Sequence, residues 1–304
     1  VKNDVKIDTA QLVFERAGDF AAARLKDPLS QCPDCGGTGL IRSSIQQNLR
    51  TYEVVSPCPR AMADRRTHLF NDARLPAVHT NASLESYKPS NGEQARALHV
   101  AKEFAFRWPS PRGYVLSGPV GTGKTHLLCA TLKHLTLELG VRAQYVEISL
   151  LYSQIRRGFQ EGKSGGEIIG PLSQVEVLAI DELGKGRGSQ FELETLDELI
   201  ARRYNAGKVT LFATNYSLKP PEERSQRGYF GTETVLEATK DSKLLCDRVG
   251  DRIYSRLCEM CEFVELPAAT PDMRRSPNLS VKKKPALGIA PNTFSAFGPL
   301  RPLA

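Results

Sequence analysis

Gly118-Pro119-Val120-Gly121-Thr122-Gly123-Lys124-Thr125 is the stretch on which the fold of this 304-residue chain turns. It meets the spacing G-x-x-x-x-G-K-S/T without a mismatch. Glycines at these places let backbone N–H groups converge on phosphate oxygens, and the helix that follows offers the positive end of its dipole. The lysine then reaches the outer phosphates as a point charge, and the neighbouring hydroxyl is placed for Mg2+. Both flanks agree with this reading. An apolar strand run, Tyr114-Val115-Leu116, leads in, and an apolar helical run from Lys124 to Leu139 leads out.

Strand and helix signals continue to alternate around the cradle. Strand-like runs lie at Ala143 to Ile148, Val175 to Ile180, Val209 to Ala213 and Glu262 to Leu266. Helical stretches lie between them at Ser149 to Phe159 and Gln190 to Asn205, the latter with Leu193, Leu196, Leu199, Ile200 and Tyr204 on one face. Such alternation predicts an α/β fold, a mostly parallel sheet flanked by helices. The run Val175 to Ile180 delivers Asp181 and Glu182 at its C-terminal end, where ligands gather in open α/β sheets. Asp181 with Thr125 is the expected Mg2+ pair, and Glu182 the group that polarises the attacking water. Asn215, after the strand Val209 to Ala213, is placed to reach between a γ-phosphate and Glu182; asparagine also suits ordinary strand-ending turns.

Lys and Arg number 41 against 34 Asp and Glu, a net charge of +7. That surplus is compatible with nucleic acid and equally with solvated surface. No run approaches the roughly 18 apolar residues of a membrane span, and Val1-Lys2-Asn3-Asp4 has no apolar run behind it. A cytoplasmic protein without a membrane partner is the expectation. The texture divides the chain into residues 1–75, an N-terminal module with a short helix over Gln11 to Leu25; 76–112, a linker whose Glu93 to Trp108 portion is helical; 113–275, the nucleotide-binding domain; and 276–304, a Pro- and Lys-rich tail read as disordered. Seven cysteines is an odd number for a disulfide framework. Cys32 and Cys35, two residues apart with glycines behind them, and Cys58 after a strand-like segment, read as ligands of a zinc-knuckle-like site. The fourth ligand is not evident; His68 is the nearest spare donor, and loss of zinc is the alternative. Cys258, Cys261, Cys129 and Cys246 read as core residues.

The motifs Gly118-Pro-Val-Gly-Thr-Gly-Lys-Thr-His-Leu-Leu, Ala179-Ile-Asp-Glu-Leu-Gly184 and Ala213-Thr-Asn-Tyr216, followed by Gly250-Asp-Arg-Ile-Tyr-Ser-Arg256-Leu and Asp272-Met-Arg274, together resemble the AAA+ class. The closer likeness is to DnaC-type replicative helicase loaders and the related IstB transposition helpers, over about Arg112 to Arg275. The resemblance implies a P-loop ATPase core with a small helical lid. It also implies a nucleotide site of Gly118 to Thr125 with the adjoining His126, Asp181 and Arg274. Asn215 matches the first sensor, Arg274 the second, and Arg256 the arginine finger that completes a neighbour's site; Arg252, one turn earlier, is the rival finger. Leu150 to Gly162 matches a DNA-facing helix and offers Tyr152, Arg156, Arg157 and Phe159, although an amphipathic core helix looks similar. DnaI-like loaders close their N-terminal zinc site with Cys-x-Cys, from which Ser56-Pro57-Cys58 departs.

ATP, Mg2+ and zinc, with loss of zinc as the alternative, are thus the cofactors in view. The implied function is ATP hydrolysis, weak or partner-stimulated, that loads a DnaB-type replicative helicase onto single-stranded DNA, with ATP-dependent self-association. A transposition helper and a nucleotide-dependent adaptor with little turnover stand as alternatives.

Overall fold

The computed structural model describes residues 9–48, 50–218 and 244–274. Five strands form one parallel sheet: β5 (Gly113–Ser117), β6 (Ala143–Glu147), β7 (Val177–Asp181), β8 (Val209–Thr214) and β9 (Cys261–Glu265), in the order β6-β7-β8-β5-β9. The three inner strands are buried along their whole length, which is why they read as unbroken apolar runs. Because all pairs are parallel and in step, Ser117 lies beside Thr214 and Glu265, and Glu147 beside Asp181. The C-terminal ends of the strands therefore form one edge, and the cradle opens from it.

Alternate residues of the sheet feed two cores. Tyr114, Leu116, Val177, Ala179, Leu211 and Ala213 face one side, under α2 (Gly92–Phe106) and α3 (Lys124–Leu137). Val115, Leu178, Ile180 and Phe212 face the other, under α4 (Ile148–Gln160), α5 (Gly165–Gln174), α6 (Gln190–Asn205), α7 (Leu245–Val249) and α8 (Asp251–Met260). Caps fix where the helices begin. Asn91 accepts the Gln94 N–H, Ser189 that of Glu192, and Ser164 with Glu167 forms a reciprocal capping box. On the second side Arg203 is fully buried. It donates to Thr210 Oγ1 (2.8 Å) and to the carbonyls of Leu172, Val175 and Val209, and burial lowers its pKa to about 9. It ties the end of α5 and the lead into β7 to the start of β8.

The N-terminal region departs from the sequence reading. Instead of a helix over Gln11 to Leu25, β1 (Leu12–Ala17) and β2 (Phe20–Leu25) form an antiparallel hairpin that turns at Gly18, whose φ is +60°. The alanines that suggest a helix alternate instead: Ala21, Ala23 and Leu25 are buried, a period of two. The helix α1 (Pro59–Asp72), which lacks a strong apolar stripe, follows a second hairpin of β3 (Leu40–Gln47) and β4 (Arg50–Pro57). No break in packing falls at residue 75. Leu12, Ala23, Phe70 and Leu75 belong to the same core as Leu116 and Leu128. Arg66 donates to the carbonyls of Leu137 (3.0 Å) and Glu138 (2.8 Å) at the end of α3, and the Tyr145 N–H of edge strand β6 bonds Ala73 O. After β9 the described residues Leu266 to Arg274 form a strap of turns, and no helical lid occurs among them. The expected tail, Ser276 to Ala304, lies outside the described residues. Among the described residues no helix is long and apolar enough to cross a membrane.

Candidate functional site

The cradle is built by the break between β5 and α3. Gly118 (φ +144°) is held by its N–H to Thr214 O, and a side chain there would strike the backbone of Leu266. Gly123 (φ +91°) sits against the Tyr87 ring, whose hydroxyl donates to Thr122 O at 2.8 Å. The strap closes over the same loop. Met273 N–H bonds Gly121 O at 2.9 Å, and the Asp272 carboxylate lies against Gly121, where a Cβ would overlap it.

Lys124 is buried and donates to Gly118 O and Pro119 O, both at 2.7 Å. Burial lowers its pKa to about 8; Asp181 and Glu182 raise it and Arg274 lowers it further. Arg274, exposed on the strap, also helps to depress His79, after burial and His126. The Thr125 hydroxyl donates to Asp181 Oδ2 at 2.7 Å, and Asp181 is almost wholly buried. Glu182 follows at φ +54°, its N–H on Asp181 Oδ1 at 2.8 Å and its carboxylate paired with Lys185. Lys185 also stands 3.5 Å from Glu147. Asn215 is exposed at the end of β8, beside the segment held by the Leu183 N–H to Ala213 O. His126 turns away from the loop, to Ser86 Oγ (3.1 Å) and Ser83 O (3.0 Å).

Two expected members stand elsewhere. Arg256 on α8 pairs with Asp197 of α6 at 2.5 Å, its side chain only 18% exposed; Arg252 reaches the same Asp197 at 3.5 Å with 74% of its side chain exposed. On α4, Tyr152 is buried in the second core, so the exposed face carries Arg156, Arg157 and Phe159 without it. Arg156 is paired with the buried Glu192 at 2.7 Å. Sequence reasoning missed Tyr145, whose hydroxyl bonds Asp181 Oδ2 at 2.8 Å, together with Tyr87 and Lys185. Only Lys185 left a trace, as the lysine of Gly184-Lys-Gly-Arg-Gly188.

The thiols of Cys32, Cys35 and Cys58 are buried, with their sulfurs within 4.8 Å of one another. Cys32 and Cys58 are 3.6 Å apart, close to the ~3.8 Å that two thiolates about 2.3 Å from a tetrahedral zinc would keep. Burial pushes the Cys32 thiol up, but the N–H groups of Cys35 and Asp34 and the two neighbouring sulfurs together outweigh it and the pKa is lowered. Cys58 is raised, by burial first and also by the other two sulfurs, against the N–H groups of Ala61 and Arg60. Three donors of the right kind fit zinc. His68 is not the fourth: it lies ten residues along α1 from Cys58, about 15 Å at the helical rise, and pairs with Asp64. Cys261 is buried in the second core with Cys258 packed beside it, apart from this cluster.

The sequence pattern of the family described as "IstB-like ATP binding protein" matches residues 56–241, more than half of the chain. The "Replicative helicase loader DnaC" of Escherichia coli (strain K12) is 29% identical over 162 residues, 53% of this chain and 65% of that protein; the match thus spans just under two thirds of its length. The loader of the same name from Buchnera aphidicola subsp. Baizongia pistaciae is 28% identical over 56% of this chain and 69% of its own. The solved "Crystal structure of the DnaC helicase loader" aligns with a TM-score of 0.51 at 30% identity, over 62% of this chain and 99% of that one. With its parallel sheet and nucleotide cradle of the AAA+ kind, the chain belongs to the IstB-like ATP binding protein family.

Proposed function

We propose that this chain hydrolyses ATP to load a DnaB-type replicative helicase onto single-stranded DNA. One observation carries the reading: Lys124, Thr125, Asp181 and Glu182 converge at one sheet edge, within residues 56–241 that match the ATP-binding family, in a chain similar to DnaC loaders. The oxygens of Thr125 and Asp181 suit Mg2+, which when bound neutralises phosphate charge. Glu182 orients the attacking water, Asn215 stands beside it, and Arg274 meets the phosphates from the strap. The finger in a self-assembled ring is Arg256 if a neighbour's phosphate displaces Asp197; Arg252, on the same Asp197 at 3.5 Å with 74% of its side chain exposed, is the rival. Arg156, Arg157 and Phe159 on α4 supply charge and a stacking surface for unpaired DNA. A zinc held by Cys32, Cys35 and Cys58 stiffens the part that grips the helicase. The Lys185 contact to Glu182 supports slow, partner-stimulated turnover, and the work is cytoplasmic.

The family description favours a second reading, a transposition helper that marks target DNA. Copurification from the source cell separates them: a DnaB-type helicase held by the ATP-bound Glu182→Gln variant is the expected result. Recovery of a transposase in its place transfers the function to the helper. ATP turnover by Glu182→Gln at the parent rate removes Glu182 from catalysis.

A further inference from the structure

Asp181 receives three hydrogen bonds on its two oxygens. Oδ1 takes the Glu182 N–H at 2.8 Å, and Oδ2 takes both the Thr125 hydroxyl at 2.7 Å and the Tyr145 hydroxyl at 2.8 Å. Tyr145 comes from β6, opposite Ala179 in the parallel register. Ala179 and Asp181 share a sheet face, so the tyrosine ring reaches along that face over a small residue to the carboxylate. The main chain of Tyr145 is fixed in turn by its N–H to Ala73 O at 2.8 Å, and its ring packs on the first core. An ordinary phenol keeps its proton at neutral pH, so the group is an O–H donor there.

Without Tyr145 the carboxylate keeps one donor on each oxygen, the Glu182 N–H and the Thr125 hydroxyl, and is freer to turn about its broad, two-fold χ2. The Thr125 proton would then lose its acceptor and swing toward the metal side. With the carboxylate plane fixed, the Thr125 proton stays on Asp181 and both oxygen lone pairs face outward. We propose that Tyr145 is the positioning residue for the nucleotide's Mg2+, setting the Asp181 plane so that Thr125 presents its oxygen to the ion. This rests on the ATP–Mg2+ reading above.

The test is Tyr145→Phe in the full chain, which removes one oxygen atom. Affinity for a fluorescent ATP analogue is measured across a Mg2+ titration and again in EDTA. The expected result is an EDTA affinity within twofold of the parent and a half-saturating Mg2+ raised about tenfold, the usual scale for a lost partner of a metal ligand. Tyr114→Phe is the control, because it deletes a fully buried hydroxyl bonded to Thr131 (2.9 Å) in the same core. An unchanged Mg2+ response in Tyr145→Phe overturns the assignment. So does an equal loss in EDTA, or an equal shift in Tyr114→Phe, since either would reflect softened packing. A parent chain whose nucleotide binding ignores Mg2+ overturns the metal reading itself, and Tyr145 with it.

Discussion

Replacing Lys185 by Ala should speed ATP hydrolysis. Glu182 holds a left-handed backbone, φ +54°, uncommon for a glutamate, and its carboxylate is engaged by Lys185 three residues on. The lysine is raised in pKa, chiefly by its hydrogen bond to Glu182, and so remains charged through neutral pH. Its loop is anchored, because Arg248 donates to the carbonyls of Gly184 (3.0 Å) and Gly186 (2.6 Å). On the proposed function, an ammonium that holds the Glu182 carboxylate turns it from the water it would orient. The Lys185 and Glu182 side chains are 53% and 31% exposed, so solvent screens the pair and it is worth about 0.5–1 kcal/mol. Freed to the transition state, that energy is roughly a two- to fivefold faster reaction. Single-turnover hydrolysis without partners is the assay, with ATP affinity expected to hold. A rate unchanged or lowered in Lys185→Ala refutes the restraint, and Lys185→Arg should retain it.

At pH 8.5 a lysine of pKa about 8 is roughly three-quarters neutral, so if triphosphate restores the Lys124 charge, binding takes up about 0.75 proton there and about 0.1 at pH 7. Calorimetry in buffers of different ionisation enthalpy reads this, and no uptake at pH 8.5 refutes it. Elemental analysis should find about one zinc per chain, lost in Cys32→Ser and kept in Cys258→Ser and His68→Ala; a metal-free protein with a folded N-terminal region would sink the zinc reading.

The sheet was legible because parallel central strands are apolar on both faces and the cradle glycines have a chemical reason for their spacing. Val175 to Ile180 and Val209 to Ala213 could hardly be anything else, and the ends missed by a residue or two are where hydrogen bonding decides. The first hairpin was illegible for the opposite cause. Its inward residues include Ala21 and Ala23, too small to signal a period, and helix propensity then points the wrong way. Tyr145 and Asp197 escaped for a third reason. Their importance lies in partners 36 and 59 positions distant, Asp181 and Arg256, which only the fold brings close. His68 failed on distance along a helix that the sequence did not reveal.

The continuity of the first core bears on how a partner would act. Cys58 begins α1, whose fourteen residues run about 21 Å to Ala73, the acceptor of the Tyr145 N–H. Midway, Arg66 is buried with its guanidinium on the two carbonyls that end α3, and Lys124 and Thr125 begin that same helix. Withdrawing Arg66 would strand a buried cation and two carbonyls, each costing about 1–3 kcal/mol or more. Parting α1 from α3 carries that cost, so the contact couples the two helices. A partner that gripped the Cys58 end of α1 would therefore act on the helix pair that carries Lys124 and, through Ala73 and Tyr145, on the carboxylate of Asp181.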